Sequence, residues 1–100
     1  MKNDGPQPNW NASDRSTMDR IKERVARSYH CRTADIGLCF ESAYVLHLHH
    51  GHKTRRHRWQ ATIKRLSYPT KPADDLYITG YHGKDSHALK ALNQWTLGLR

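Results

Sequence analysis

The segment "HLHHGHKTRRHRW", His47 to Trp59, holds five of the eight histidines in this 100-residue chain, together with Lys53, Arg55, Arg56 and Arg58. Imidazoles and cations at this density support three kinds of chemistry: metal ligation, proton transfer on a phosphate ester, or electrostatic capture of a polyanion. For a metal, His47 and His49 at i and i+2 share one face of a strand, and Cys31, Cys39, His50, His52 and His82 are the residues able to complete a tetrahedral set. The spacing argues against it. The two cysteines are separated by seven residues, neither has a close Cys partner, and Lys53, Arg55 and Arg56 repel a dication. We therefore expect no metal and no other cofactor.

Catalysis has less support. His47 and His57 beside Lys53 are the residue types of a metal-free, histidine-based nuclease. A Cys39–His pair or a Ser–His–Asp set lacks a nucleophile elbow, and the acids lie elsewhere in the chain. In "TGYHGKD" only Gly80 and Gly83 are present, which is neither a Walker loop nor a dinucleotide fingerprint. Binding without catalysis is the expectation that remains.

The charge distribution points the same way. Lys and Arg number 17 against nine acids, a formal +8 with neutral histidines. Ser42 to Ala73 contains no acid and seven Lys or Arg. Such segregation suits a polyanion, DNA or RNA above all; the bland alternative is a solvated basic face. Two cysteines without a Cys-x-x-Cys pair, and no apolar leader, predict reduced thiols in a cytoplasmic protein. No apolar run is long enough for a membrane span, so no membrane partner is expected.

The elements that must position these residues read as one small α+β domain. Residues 1–12, "MKNDGPQPNWNA", form an expected flexible arm with Trp10 outside the core. The domain is residues 13–100. Ser13, Asp14 or Ser16 caps a helix of about Asp14 to Tyr29, with Met18, Ile21, Val25 and Tyr29 on its apolar face. Residues 30–43 fit a strand through Ile36, Leu38 and Phe40, and equally a helix through Ile36, Cys39, Phe40 and Ala43. From Tyr44 the pattern predicts three antiparallel strands and a C-terminal helix packed on one sheet face. Leu46, Leu48, Trp59, Ala61, Ile63, Leu76 and Ile78 then face inward. "YPTKPADD" is a loop, and Ala88, Leu89, Leu92, Trp95, Thr96 and Leu99 form the last helix's stripe. The alternative is a mostly α fold with residues 54–67 helical, because Trp59, Ile63 and Leu66 also sit at helical spacing.

Helix, three strands and helix, with Tyr44-x-Leu46 before a Gly/His turn and Gly80-x-x-Gly83-Lys84 opening the last helix, resembles a double-stranded-RNA-binding domain over Tyr44 to Leu99. That family heads its last helix with a lysine cluster. Here only Lys84 and Lys90 stand near those places, and the gap from helix one to strand one is longer.

The expected outward face carries His47, His49, Arg58, Gln60, Thr62, Lys64, Tyr77, Thr79 and Tyr81, flanked by Arg65 and Lys84. A turn, His50 to Arg56, projects Lys53, Arg55 and Arg56. Cations hold phosphates and tyrosine faces stack bases. The reading is a small non-catalytic basic protein of nucleic-acid metabolism contacting DNA or RNA backbone. Its alternative is an accessory protein, of the kind phages and mobile elements encode, that docks on and inhibits or modulates a host nucleic-acid enzyme such as a nuclease, recombination or defence complex.

Overall fold

Asn11 starts the first helix, α1 (Ala12–Ser28). Its side-chain oxygen accepts the Asp14 N–H at 2.7 Å, and the Asp14 carboxylate accepts the Asn11 N–H at 3.2 Å. This reciprocal capping box satisfies the first orphan donors, so the cap lies before Ser13, Asp14 and Ser16, where the sequence placed it. The computed structural model describes residues 8–66 and 73–100. Most of the expected arm (1–7) and of the "YPTKPADD" loop (68–72) lies outside the described residues; the loop's last two residues, Asp74 and Asp75, are strand instead. Ile21, Val25 and Ala26 form the buried face of α1. The helix ends at Tyr29, and His30 in the left-handed region (φ 56°) redirects the chain.

A short 3-10 turn, Thr33–Asp35, leads into β1 (Ile36–His49), which pairs antiparallel with β2 (His52–Arg65) over their whole length without a slip. The open choice over residues 30–43 thus resolves mostly to strand, because Ile36, Leu38 and Phe40 alternate toward the core. Residues 52–65 being strand also removes the helical alternative for 54–67. The turn between the strands is only His50-Gly51, both with positive φ (50° and 77°), as two-residue hairpins of primed type require. Residues 52–56 are therefore ribbon, not turn. β3 (Asp74–Ile78) pairs with the other edge of β2, giving the order β1-β2-β3. The chain ends in α2 (Asp85–Thr96).

Both helices lie on one face of this sheet. Ile21, Val25 and Ala26 meet Ala88, Leu89 and Leu92 over Ile36, Trp59, Ala61 and Ile63. Arg24 ties the helices together, its guanidinium donating to Asn93 Oδ1 (2.7 Å) and Thr96 Oγ1 (3.2 Å). Fourteen residue pairs make a ribbon about 48 Å long at 3.4 Å per residue, which matches the 49 Å long axis of the molecule. The helices cover only its proximal half. Leu46 and Leu48 point to the helix side but are 69% and 67% exposed. Their expected burial is corrected: the alternation is right, but no described residue covers that part of the face.

Two further corrections concern aromatic residues. In β3 the phase is inverted: Tyr77, expected outward, stacks on Trp95 of α2 (centroids 4.7 Å, planes 8° apart), while Ile78 is exposed. The cause is a bulge. Ile63 pairs with Tyr77 and Lys64 with Asp75, so Leu76 is the extra residue and side chains beyond it exchange faces. Trp10, expected outside the core, is half-buried with its ring edge-on to Phe40 at 4.7 Å, and the neighbouring Asn9 N–H donates to Asp85. Trp95 is half-buried against the core, whereas Trp59 is buried.

Thr79, also read as outward, is buried after β3. Its hydroxyl accepts the Ala61 N–H (2.9 Å) and donates to the Gly80 carbonyl (2.8 Å), extending the ladder by a side chain. Thr79→Val keeps the shape and strands a buried N–H. We expect a loss of about 1–3 kcal/mol in urea unfolding, with Thr79→Ser recovering most of it.

Candidate nucleic-acid interface

The register decides which face each candidate occupies, because directly opposed residues of an antiparallel pair share a face. Tyr44 opposes His57, Leu46 opposes Arg55 and Leu48 opposes Lys53; these six lie on the helix side. Val45 opposes Arg56, His47 opposes Thr54 and His49 opposes His52; with Arg58 they lie on the other side. The distal ribbon thus has two solvent-facing sides of different chemistry. One is apolar and basic. The other is rich in imidazole and guanidinium.

On the first side, the Arg55 guanidinium sits 4.9 Å over the Tyr44 ring. His57 lies between Tyr44 and Trp59, with centroids at 5.4 and 5.3 Å and T-shaped geometry. Its Nε2 is enclosed without a hydrogen-bond partner among the described residues. On the second side, the His47 and His49 rings stack at 6.1 Å, and His50 at the turn meets His49 at 4.1 Å. Among the described residues, no three His, Cys, Asp or Glu side chains converge as a metal site. His47 and His57 are on opposite sides, so the pair considered for acid–base work on a phosphate ester is not assembled. Burial pushes the Cys39 thiol up, away from the thiolate a nucleophile needs.

Of the residues singled out in the sequence, Lys53, Arg55, Arg56, Arg58, His47 and His49 are brought together on the distal ribbon. Arg58 leans back over the loop before α2: a Cβ on Gly83 would lie 3.1 Å from its guanidinium. Tyr81 and Lys84 in that loop are exposed and flank the ribbon's root. Lys64 and Arg65 are not part of the group. Lys64 is held by Asp75 at 2.9 Å, a hydrogen bond that raises its ordinary pKa, and Arg65 opposes Asp74 across the sheet. The ribbon's base is a zone of mixed charge, which also includes the exposed Arg32–Asp35 ion pair (3.1 Å). Tyr77 leaves the surface for the Trp95 stack. Sequence reasoning missed Tyr44 as the platform for Arg55 and missed His57 as its neighbour. Counting back from a two-residue His50-Gly51 turn was the signal that would have paired them.

Comparison with known proteins gives no identity: no protein-family model, no curated protein and no solved structure matches the chain. Among the described residues, no helix is long and apolar enough to cross a membrane.

Proposed function

We propose that this protein is a non-catalytic nucleic-acid-binding protein whose distal ribbon holds the phosphate backbone of DNA or RNA. One observation carries the reading: the acid-free half of the hairpin extends beyond the core and presents Lys53, Arg55, Arg56 and Arg58. A narrow basic projection concentrates field where a polyanion can approach it from two sides, and among the described residues the nearest acids, Glu41 first, lie toward the base. Arg55 over Tyr44 forms a planar cationic platform, suited to phosphate and to an unstacked base.

The test is equilibrium binding to unrelated DNA and RNA sequences across a salt series. Affinity that falls steeply with salt and varies little with sequence supports the reading. Absence of salt-sensitive affinity at low ionic strength overturns it. A pull-down from nuclease-treated lysate separates the docking alternative: capture of one nucleic-acid enzyme that survives nuclease treatment assigns the ribbon to a protein partner.

A further inference from the structure

We infer that the outer edge of β1, from Tyr44 to Leu48, pairs antiparallel with the same edge of a second copy of this chain. The first observation is chemical. β1 is an edge strand of the sheet, and its segment from Ser42 to His49 carries no Lys, Arg, Asp, Glu or Pro. It also has no bulge. Natural edge strands are blunted by such features because an open ladder templates pairing. The opposite edge shows the contrast: β3 is five residues long, begins with Asp74-Asp75 and is interrupted by a bulge.

The second observation is the direction of the backbone groups. Trp59 exchanges both backbone hydrogen bonds with His82 (2.7 and 2.8 Å), so its N–H and C=O face the β3 side. Alternate residues of a strand face alternate sides, so Arg58, Arg56 and Thr54 bond toward β1, to Ala43, Val45 and His47. Tyr44, Leu46 and Leu48 must then direct their N–H and C=O outward. These are the same residues whose side chains are 51%, 69% and 67% exposed. Edge and apolar row coincide.

A two-fold axis through Leu46 satisfies both sets of groups at once. Leu46 then opposes Leu46 of the second copy, Tyr44 opposes Leu48, and every paired residue offers an outward N–H and C=O. On the other side Val45 opposes His47. Aromatic–aliphatic and aliphatic pairs are favourable neighbours across strands, and no Lys or Arg opposes another. The basic β2 strands of the two copies stand three strand spacings apart, about 14 Å. That exceeds the Debye length of about 8 Å at physiological ionic strength. The pairing consumes the same edge on both copies, so it closes at two. It would set two basic strands on either side of an apolar seam.

The pairing is measured without nucleic acid, so it succeeds or fails separately from the polyanion reading. Its salt dependence is also opposite in sign: salt screens the repulsion between two +8 chains and strengthens association. Sedimentation equilibrium of the full chain should give twice the 11.7 kDa chain mass within the micromolar range. Leu46→Lys places like charges across the axis and should return the single-chain mass with an unchanged thermal unfolding profile. The register is tested by Leu46→Cys. Opposed residues in a hydrogen-bonded antiparallel pair lie about 5.5 Å apart at Cα, within disulfide reach, so oxidation should give a covalent dimer joined through the two introduced thiols. Leu48→Cys, facing Tyr44 instead, should give far less. A single-chain mass for the unmodified protein at every concentration, or association that Leu46→Lys leaves intact, overturns the inference.

Discussion

Trp59→Ala is expected to unfold much of the population at 25 °C, with a loss of about 3–5 kcal/mol. Small domains hold roughly 5–15 kcal/mol in total, and one of this length belongs near the lower end. Trp59 is 6% exposed and stands on the middle strand, where its backbone also bonds to His82. Its side chain belongs to the buried cluster that, among the described residues, joins both helices to the sheet. Removing it adds the cost of a cavity in that cluster to the lost burial. Urea unfolding followed by far-ultraviolet circular dichroism measures the loss. The comparison variant is Trp10→Ala, which removes an edge contact with Phe40 and should cost about 1–2 kcal/mol. A silent Trp59→Ala would mean that the strand phase through residues 59–63 is wrong.

Where the sequence succeeded and where it did not follows from what periodicity encodes. Alternation of Trp59, Ala61 and Ile63 marks one side of a strand, and the helices do lie on that side. The same alternation in Leu46 and Leu48 marks the same side, but alternation says nothing about whether another element reaches that far. The helices are shorter than the ribbon, and so two leucines with a core pattern face solvent. In β3 the failure is of another kind. A bulge at Leu76 shifts the phase by one, and no Gly or Pro in "LYITGY" announces it before the strand's end. Charge had a similar limit. Lys64 belongs to the acid-free stretch in sequence, yet the register sets it against Asp75, which only the paired strands reveal. The arginines that count are those in the half of the hairpin where no described residue is acidic.

Replacing Arg55, Arg56 and Arg58 with Gln is therefore expected to have the largest effect on binding. If each holds one phosphate of duplex DNA, the slope of log affinity against log salt should flatten by about 0.9 per contact. Raising salt from about 50 to about 200 mM then costs the unmodified protein roughly fortyfold more affinity than the triple variant. Stability should change little, because Arg55 and Arg56 are exposed beyond the core and Arg58 is half-exposed with its guanidinium over the loop at Gly83. Lys64→Gln is the internal comparison. Its charge is already engaged by Asp75 at 2.9 Å, so it should leave the slope within a few tenths of the unmodified value. Tyr44→Leu separates platform from charge. It keeps every cation but removes the ring beneath Arg55, and should weaken single-stranded more than duplex binding, because only unstacked bases can use an aromatic face. Losses alike for unrelated sequences identify backbone contact. A triple variant with the unmodified slope would place the phosphates elsewhere, and the acid-free half of the hairpin would then serve a protein partner.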